Sequence, residues 1–172
     1  NTLHSKSTSF NDFDSKNLSK YFSGIVAFEN KNNSVALDFF NSSKILITKH
    51  DPYLKRYIYS LVLENKVSQA INVIKNNRYR DKSNFFYSYH LLVLDSLKKK
   101  DLDSAYKYLE NITDLAQEDK FNSVILEILK QYIFVFIEKK TPEGKKNFGK
   151  LSLISETFQR CFIGDKKTEK YF

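Results

Sequence analysis

In 172 residues the sequence has one cysteine, two prolines, four glycines, no tryptophan and no methionine. A single thiol, Cys161, can form no internal disulfide, and with only three histidines beside it a structural zinc site is not expected. So few glycines and prolines leave little material for a turn-rich all-β fold or a glycine-rich phosphate loop. The longest uninterrupted apolar run, Tyr132–Ile137, is six residues. A bilayer span needs roughly 18, so no membrane span is expected. Apolar residues nevertheless make up 41% of the chain, enough for a core and too many for a disordered segment. The length is one domain's worth on the usual range of roughly 100–200 residues. These exclusions leave a soluble all-α protein.

Positive charge is in excess, and unevenly. Lys and Arg number 28 against 20 Asp and Glu, net +8. Residues 51–100 carry most of it, with 10 basic and 4 acidic side chains, densest at Lys75, Arg78, Arg80, Lys82 and Lys98–Lys100. Tyr79, Phe85, Phe86 and Tyr87 are interleaved there, the pattern of a single-strand nucleic-acid surface. Against that reading, only four basic residues are arginine, the residue favoured for bidentate phosphate contacts. The chain is also crowded with Asn, Ile, Phe and Tyr, whose codons, like those of Lys, are AT-rich. Such a genome raises lysine without selection for an anionic partner. A basic nucleic-acid or anionic-surface module is therefore the alternative rather than the main reading.

The first residues, NTLHSKSTSFNDFDS, are polar and serine-rich and read as a flexible leader over 1–15. A start at Asn1 and the absence of methionine suggest a processed product or a piece of a longer chain. No signal-peptide pattern is visible. The cytoplasm and, after removal of an export signal, the periplasm or envelope both stay open.

Internal similarity organises the rest. NNSVALDFF around Ala36, NKVSQAINVI around Ala70 and KDLDSAYKYL around Ala105 align on alanines 34 and 35 residues apart. Four residues after each alanine stands a large apolar residue: Phe40, Ile74 and Leu109. Short polar breaks precede each segment, and before the breaks Leu18–Glu29, Pro52–Leu63 and Phe86–Leu97 carry helical periodicity. Asp14 or Ser15, Asp51 and Asp101 are placed to cap helices, with Pro52 fitting a first helical position. The unit is helix, tight turn, helix. A small residue lets two antiparallel helices approach where they cross, and a large one a turn later fills the neighbouring groove. Because one hairpin cannot bury its own apolar face, copies should stack.

A worn fourth unit follows. Lys120–Lys139 is strongly apolar, Thr141-Pro142 suggests the start of its partner helix, and Gly144 with Phe148 repeats the small-then-aromatic spacing. Ser155–Ile163 with Thr168 and Phe172 suggests one more unit, broken off in mid-pattern as in a piece of a longer array.

A 34-residue helical hairpin with a small residue at its twentieth position and a large apolar one at its twenty-fourth resembles the tetratricopeptide repeat. Units then start near Asn17, Asp51 and Phe86, with Gly24 at position eight of the first and Leu92 at position seven of the third. Departures include the lack of tryptophan, Ile58 and Val93 at position eight, and Ser43, Asn77 and Ile112 at position twenty-seven. The segments YFSGIVAFENKNNSVALDFF, DPYLKRYIYSLVLENKVSQAI and YHLLVLDSLKKKDLDSAYKYL are similar to bacterial, particularly proteobacterial, members that often carry an export signal. The resemblance implies an all-α, right-handed superhelical solenoid over residues 16–172. Its repeats would lie near 17–50, 51–85, 86–119 and 120–151, with a partial one over 152–172.

The resemblance also implies a non-enzymatic scaffold that binds a protein or peptide segment in a concave groove lined by the first helix of each hairpin. The groove positions are Leu18, Tyr21, Ile25 and Phe28, then Pro52, Lys55, Arg56, Tyr59 and Val62, then Tyr87, His90, Leu94 and Leu97. Each could equally pack against a neighbouring helix or the leader. The lining suits an apolar segment carrying an acidic residue. It does not suit the carboxyl-terminal tails of chaperones: the Lys and Asn clamp of that subfamily is replaced by Tyr21, Ile25, Arg56, Tyr87 and Leu91.

Catalysis has little support. His4, His50 and His90 are separated from any serine or cysteine arranged as a nucleophile with its base. Acidic pairs such as Asp101/Asp103 and Glu118/Asp119 fit the amide dipoles at helix starts. No cofactor and no metal is expected. A further alternative is an envelope-associated protein that assembles with itself through its terminal helix near Phe158–Ile163.

Overall fold

The computed structural model describes residues 15–77, 85–113, 115, 119–144, 146–166 and 168–171. The described residues form helices and connections without strands, an all-α protein. The chain divides into two compact units, Asn1–Ser83 and Asn84–Phe172.

Unit 1 holds α1 (Ser15–Glu29), α2 (Asn33–Asn41), α3 (Asp51–Leu63) and α4 (Val67–Asn77), with a short 3-10 segment over Lys44–Thr48. α1 packs on α2, α2 on α3 and α3 on α4, and α1 also reaches α3. Unit 2 holds α5 (Phe86–Lys98), α6 (Leu102–Ile112), α7 (Lys120–Glu138) and α8 (Lys150–Phe162), followed by a 3-10 turn over Thr168–Tyr171. There α5 packs on α6, α6 on α7 and α7 on α8.

One turn recurs between the helices of three hairpins. Lys31, Asn65 and Lys100 each adopt a left-handed backbone, with φ of 59°, 57° and 61°. The amide of the following residue reaches back to the carbonyl five positions earlier: Asn32 to Ala27, Lys66 to Leu61 and Asp101 to Ser96, at 2.9, 2.8 and 2.9 Å. Such bonds satisfy carbonyls that a helix end otherwise leaves orphaned. Asp101 then caps α6, its Oδ1 accepting from the Ser104 amide at 3.0 Å, and Asn32 offers a longer bond to the Val35 amide at 3.4 Å. At α3 the cap position is His50, without a side-chain bond, and Asp51 is already the first helical residue. Pro52, lacking an N–H, tolerates that early place in the helix.

Burial follows the repeated alanines. Ala36, Ala70 and Ala105 are all fully buried (0% exposed), as are Phe40 and Ile74 four residues after the first two. Gly24 completes the first crossing: a Cβ there would stand 2.7 Å from the Phe40 ring. The core of unit 1 is aromatic. Tyr21 lies 5.9 Å from Phe40 and 5.7 Å from Tyr53, and Tyr53 meets Phe40 edge-on at 6.0 Å between centroids. The Tyr53 hydroxyl donates to the Phe40 carbonyl, and the Tyr57 hydroxyl bonds Asn41 at 2.9 Å. Burial pushes the Tyr53 phenol well above its ordinary range, so it stays a neutral donor.

The fourth unit departs from expectation. No helix starts at Thr141-Pro142; the described residues 139–144 and 146–149 lie outside any helix, and α8 begins at Lys150. α7 ends on left-handed Lys139, followed closely by Pro142, which disfavours helical backbone in the residue before it. Gly144 and Gly149 have φ of 65° and 64°, outside any right-handed helix. Gly144 and Phe148 therefore do not repeat the crossing made by Ala36 and Phe40. Of the expected leader over 1–15, Ser15 is the first residue of α1, and residues 1–14, with Phe172, lie outside the described residues.

Candidate ligand-binding faces

On α3 an accessible stripe coincides with the groove positions. Tyr53, Leu54, Tyr57, Ile58, Ser60 and Leu61 are buried, whereas Pro52 and Lys55 are exposed and Arg56, Tyr59 and Val62 half-buried. The buried and accessible residues occupy opposite arcs because side chains three and four apart share a helical face. The Lys55 ammonium lies 6.0 Å from the Tyr59 ring centroid, the outer limit of a cation–π contact. An accessible aromatic beside a cation suits an apolar segment with a carboxylate.

α1 contributes differently. Leu18, Ile25 and Phe28 are half-buried, but Tyr21 is only 2% exposed and belongs to the aromatic core rather than to a groove. Its hydroxyl accepts from the Arg56 guanidinium at 3.0 Å, and His50 meets its ring edge-on at 4.9 Å. Arg56 is thereby tied to a core residue. Tyr21 shares a face of α1 with Leu18, Ile25 and Phe28, but Phe40 of α2 and Tyr53 of α3 close over it.

In unit 2 the same positions of α5 are accessible. Tyr87, His90 and Leu97 are half-buried and Leu94 is 43% exposed, while Phe86, Tyr89, Leu92 and Val93 form the buried side. Desolvation lowers the His90 imidazole below its ordinary value, so it sits neutral against the Phe86 ring at 5.8 Å.

The sequence reading missed a cleft of about 480 Å³ between α6 and α7. Leu109, Ile133, Phe134 and Ile137 line it, with Glu110, Lys130 and Glu138 around them. Its signal was the run VILEILKQYIFVFI, apolar around more of the helix than one packed face can use.

Of the basic block, Lys75 and Lys98–Lys100 are exposed, and Lys99 pairs with Asp95 at 2.7 Å. Arg78, Tyr79, Arg80 and Lys82 lie outside the described residues. No described helix is long and apolar enough to cross a membrane. Comparison with family models, with curated proteins and with solved structures gave no match for this chain.

Proposed function

We propose that the chain is a non-enzymatic interaction scaffold built of tetratricopeptide-like hairpins, which binds a peptide or protein segment on the first helices of those hairpins. The observation that carries this reading is α3: its sides divide so that Pro52, Lys55, Tyr59 and Val62 stay accessible while six neighbours build the core. The recurrence of one hairpin turn at Lys31, Asn65 and Lys100 supports the repeat, and Leu94 on α5 supports a second contact face. On α3 affinity would come mainly from desolvating Tyr59, with Lys55 and Arg56 selecting an acidic residue, and on α5 from desolvating Leu94.

Selection from a random peptide library on the purified chain tests this. Apolar peptides with an acidic residue should emerge, and those bound on α3 should lose at least tenfold in affinity to Tyr59→Glu. Their binding should change little with salt. Ligands that are all polyanions, with affinity falling steeply as salt rises, would refute the groove and support the basic module.

A further inference from the structure

A polar cleft of about 340 Å³ opens where α8 begins, beside α7 and the connection that leads into α8. Gln131 of α7, Lys146, Asn147 and Gly149 of the connection, and Ser152 and Glu156 of α8 line it. Its acceptors are already engaged. Asn147 Oδ1 accepts from the Gly149 amide at 2.8 Å and the Ser152 hydroxyl from the Phe148 amide at 2.7 Å. The Gly149 carbonyl accepts from Ser152 and Leu153 at 3.1 and 3.3 Å, and Gln131 Oε1 from Gln159 Nε2 at 3.3 Å. The one carboxylate, that of Glu156, is held by Arg160 at 2.7 Å. Its donors are unspent. Among the described residues the amides of Lys150 and Leu151, the first two of α8, meet no acceptor, and Gly149 in the cap position offers no side chain to them. The Lys146 ammonium pairs with no described carboxylate, and Asn147 Nδ2 and Gln131 Nε2 donate to no described group. Free amides are ordinary at a helix start; Gln131 is not ordinary. It comes from a different helix and is 8% exposed, and an amide so buried normally has its protons taken. The Gln159 Oε1 behind it is sealed from solvent, whereas Gln131 Nε2 is not, so the free N–H opens on the cleft.

We propose that this cleft binds a small molecule through an oxyanion, a carboxylate or a phosphoryl group, seated against the first amides of α8. Gln131, Asn147 and Lys146 supply the side-chain donors. The imbalance selects the sign of the ligand: an anion meets donors that have nothing else to bond, whereas a cation meets acceptors already in use. Backbone amides at a helix start with an ammonium beside them form charge-assisted bonds to oxyanions, and the helix dipole adds to the attraction. Arg160 offsets the charge of Glu156, so the cleft does not turn the ligand away. The volume lies within the roughly 300–1,000 Å³ of small-molecule sites, and leaves room toward Leu153 for a body beyond the oxyanion. None of the groove residues lines this cleft, so the site stands or falls apart from the scaffold role.

Amide-resolved NMR titration of the whole chain with sodium phosphate and, separately, sodium acetate tests the proposal, at fixed pH and against sodium chloride of equal ionic strength. Saturable shifts are expected at the Lys150 and Leu151 amides and at the Gln131 side-chain amide with at least one of the two anions. The tighter anion names the group that the cleft takes. Lys146→Gln and Asn147→Asp, both at exposed positions, should each weaken binding several-fold. Asn147→Asp keeps the oxygen that the Gly149 amide uses and replaces only the Nδ2 donor. Gln131→Glu makes the same exchange on α7 and should abolish binding; the two exposed variants carry the test independently of it. Lys98→Gln, on an exposed lysine of α5, should leave binding unchanged. Shifts reproduced by chloride alone, no saturation with either anion, or binding indifferent to the Lys146 and Asn147 changes would each overturn the proposal.

Discussion

Adding one methyl group at Gly24 tests the close approach of α1 and α2. Elsewhere in a helix, Gly→Ala stabilises by about 1 kcal/mol because alanine loses less backbone freedom. Here the new Cβ would meet Phe40 Cε1 at 2.7 Å, Phe40 Cδ1 at 2.9 Å and Phe39 Cβ at 3.2 Å. The Phe40 ring is fully buried between Tyr21 and Tyr53, and its carbonyl takes the Tyr53 hydroxyl bond, so neither ring nor backbone can retreat freely. Overpacking of this kind costs about 1–3 kcal/mol. The steric term exceeds the propensity term, and Gly24→Ala should destabilise the protein by up to about 2 kcal/mol. Urea unfolding followed by the near-ultraviolet dichroism of the tyrosines reads this without interference, since the chain has no tryptophan. In a Phe40→Leu background the same change should become neutral or stabilising, with a coupling of about 0.5–2 kcal/mol. A Gly24→Ala protein that is more stable in the native background, and uncoupled from residue 40, would refute the crossing.

Further tests address single features. Asp101→Ala removes the side-chain cap of α6 and should cost about 0.5–2 kcal/mol in a thermal melt, with Asp101→Asn retaining most of it. Ala70→Leu inserts three carbons into the fully buried site of the second hairpin and should cost at least about 1–3 kcal/mol by urea titration. His90 binds its proton less readily in the folded protein than in the unfolded chain. Stability should therefore fall as pH drops through the ordinary imidazole value, near 6.5, and His90→Gln should flatten that part of the profile.

Most helices were legible because their signals are local. The expected Leu18–Glu29, Pro52–Leu63, Phe86–Leu97 and Lys120–Lys139 correspond to α1, α3, α5 and α7, with ends moved by three residues or fewer. Periodicity marks a helix interior, and the polar breaks mark where it stops. The turns were less readable, since left-handed Lys31, Asn65 and Lys100 occupy places where glycine would announce the turn. The stretch over 141–149 was misjudged because Thr-Pro reads as a cap and first turn, while left-handed backbone at Gly144 and Gly149 is not visible in composition.

The accessible positions were legible to the extent that one helix decides them. On α3 and α5 the turn of the helix alone separates Lys55, Tyr59 and Leu94 from the core, and spacing therefore located them. Tyr21 lies on the same geometric face of α1, yet its exposure depends on Phe40, His50 and Tyr53, which arrive from residues far along the chain. α8 carries that dependence further. Its amphipathic pattern is plain in KLSLISETFQRCF, and any reading from periodicity alone turns Leu151, Ile154 and Phe158 inward. The structure buries Ser155 and Gln159 beside α7 and leaves Leu151 and Ile154 exposed, with Phe158 half out of its contact with Tyr132 of α7. Periodicity finds an apolar face; how much of that face is covered is decided by the helix that packs beside it.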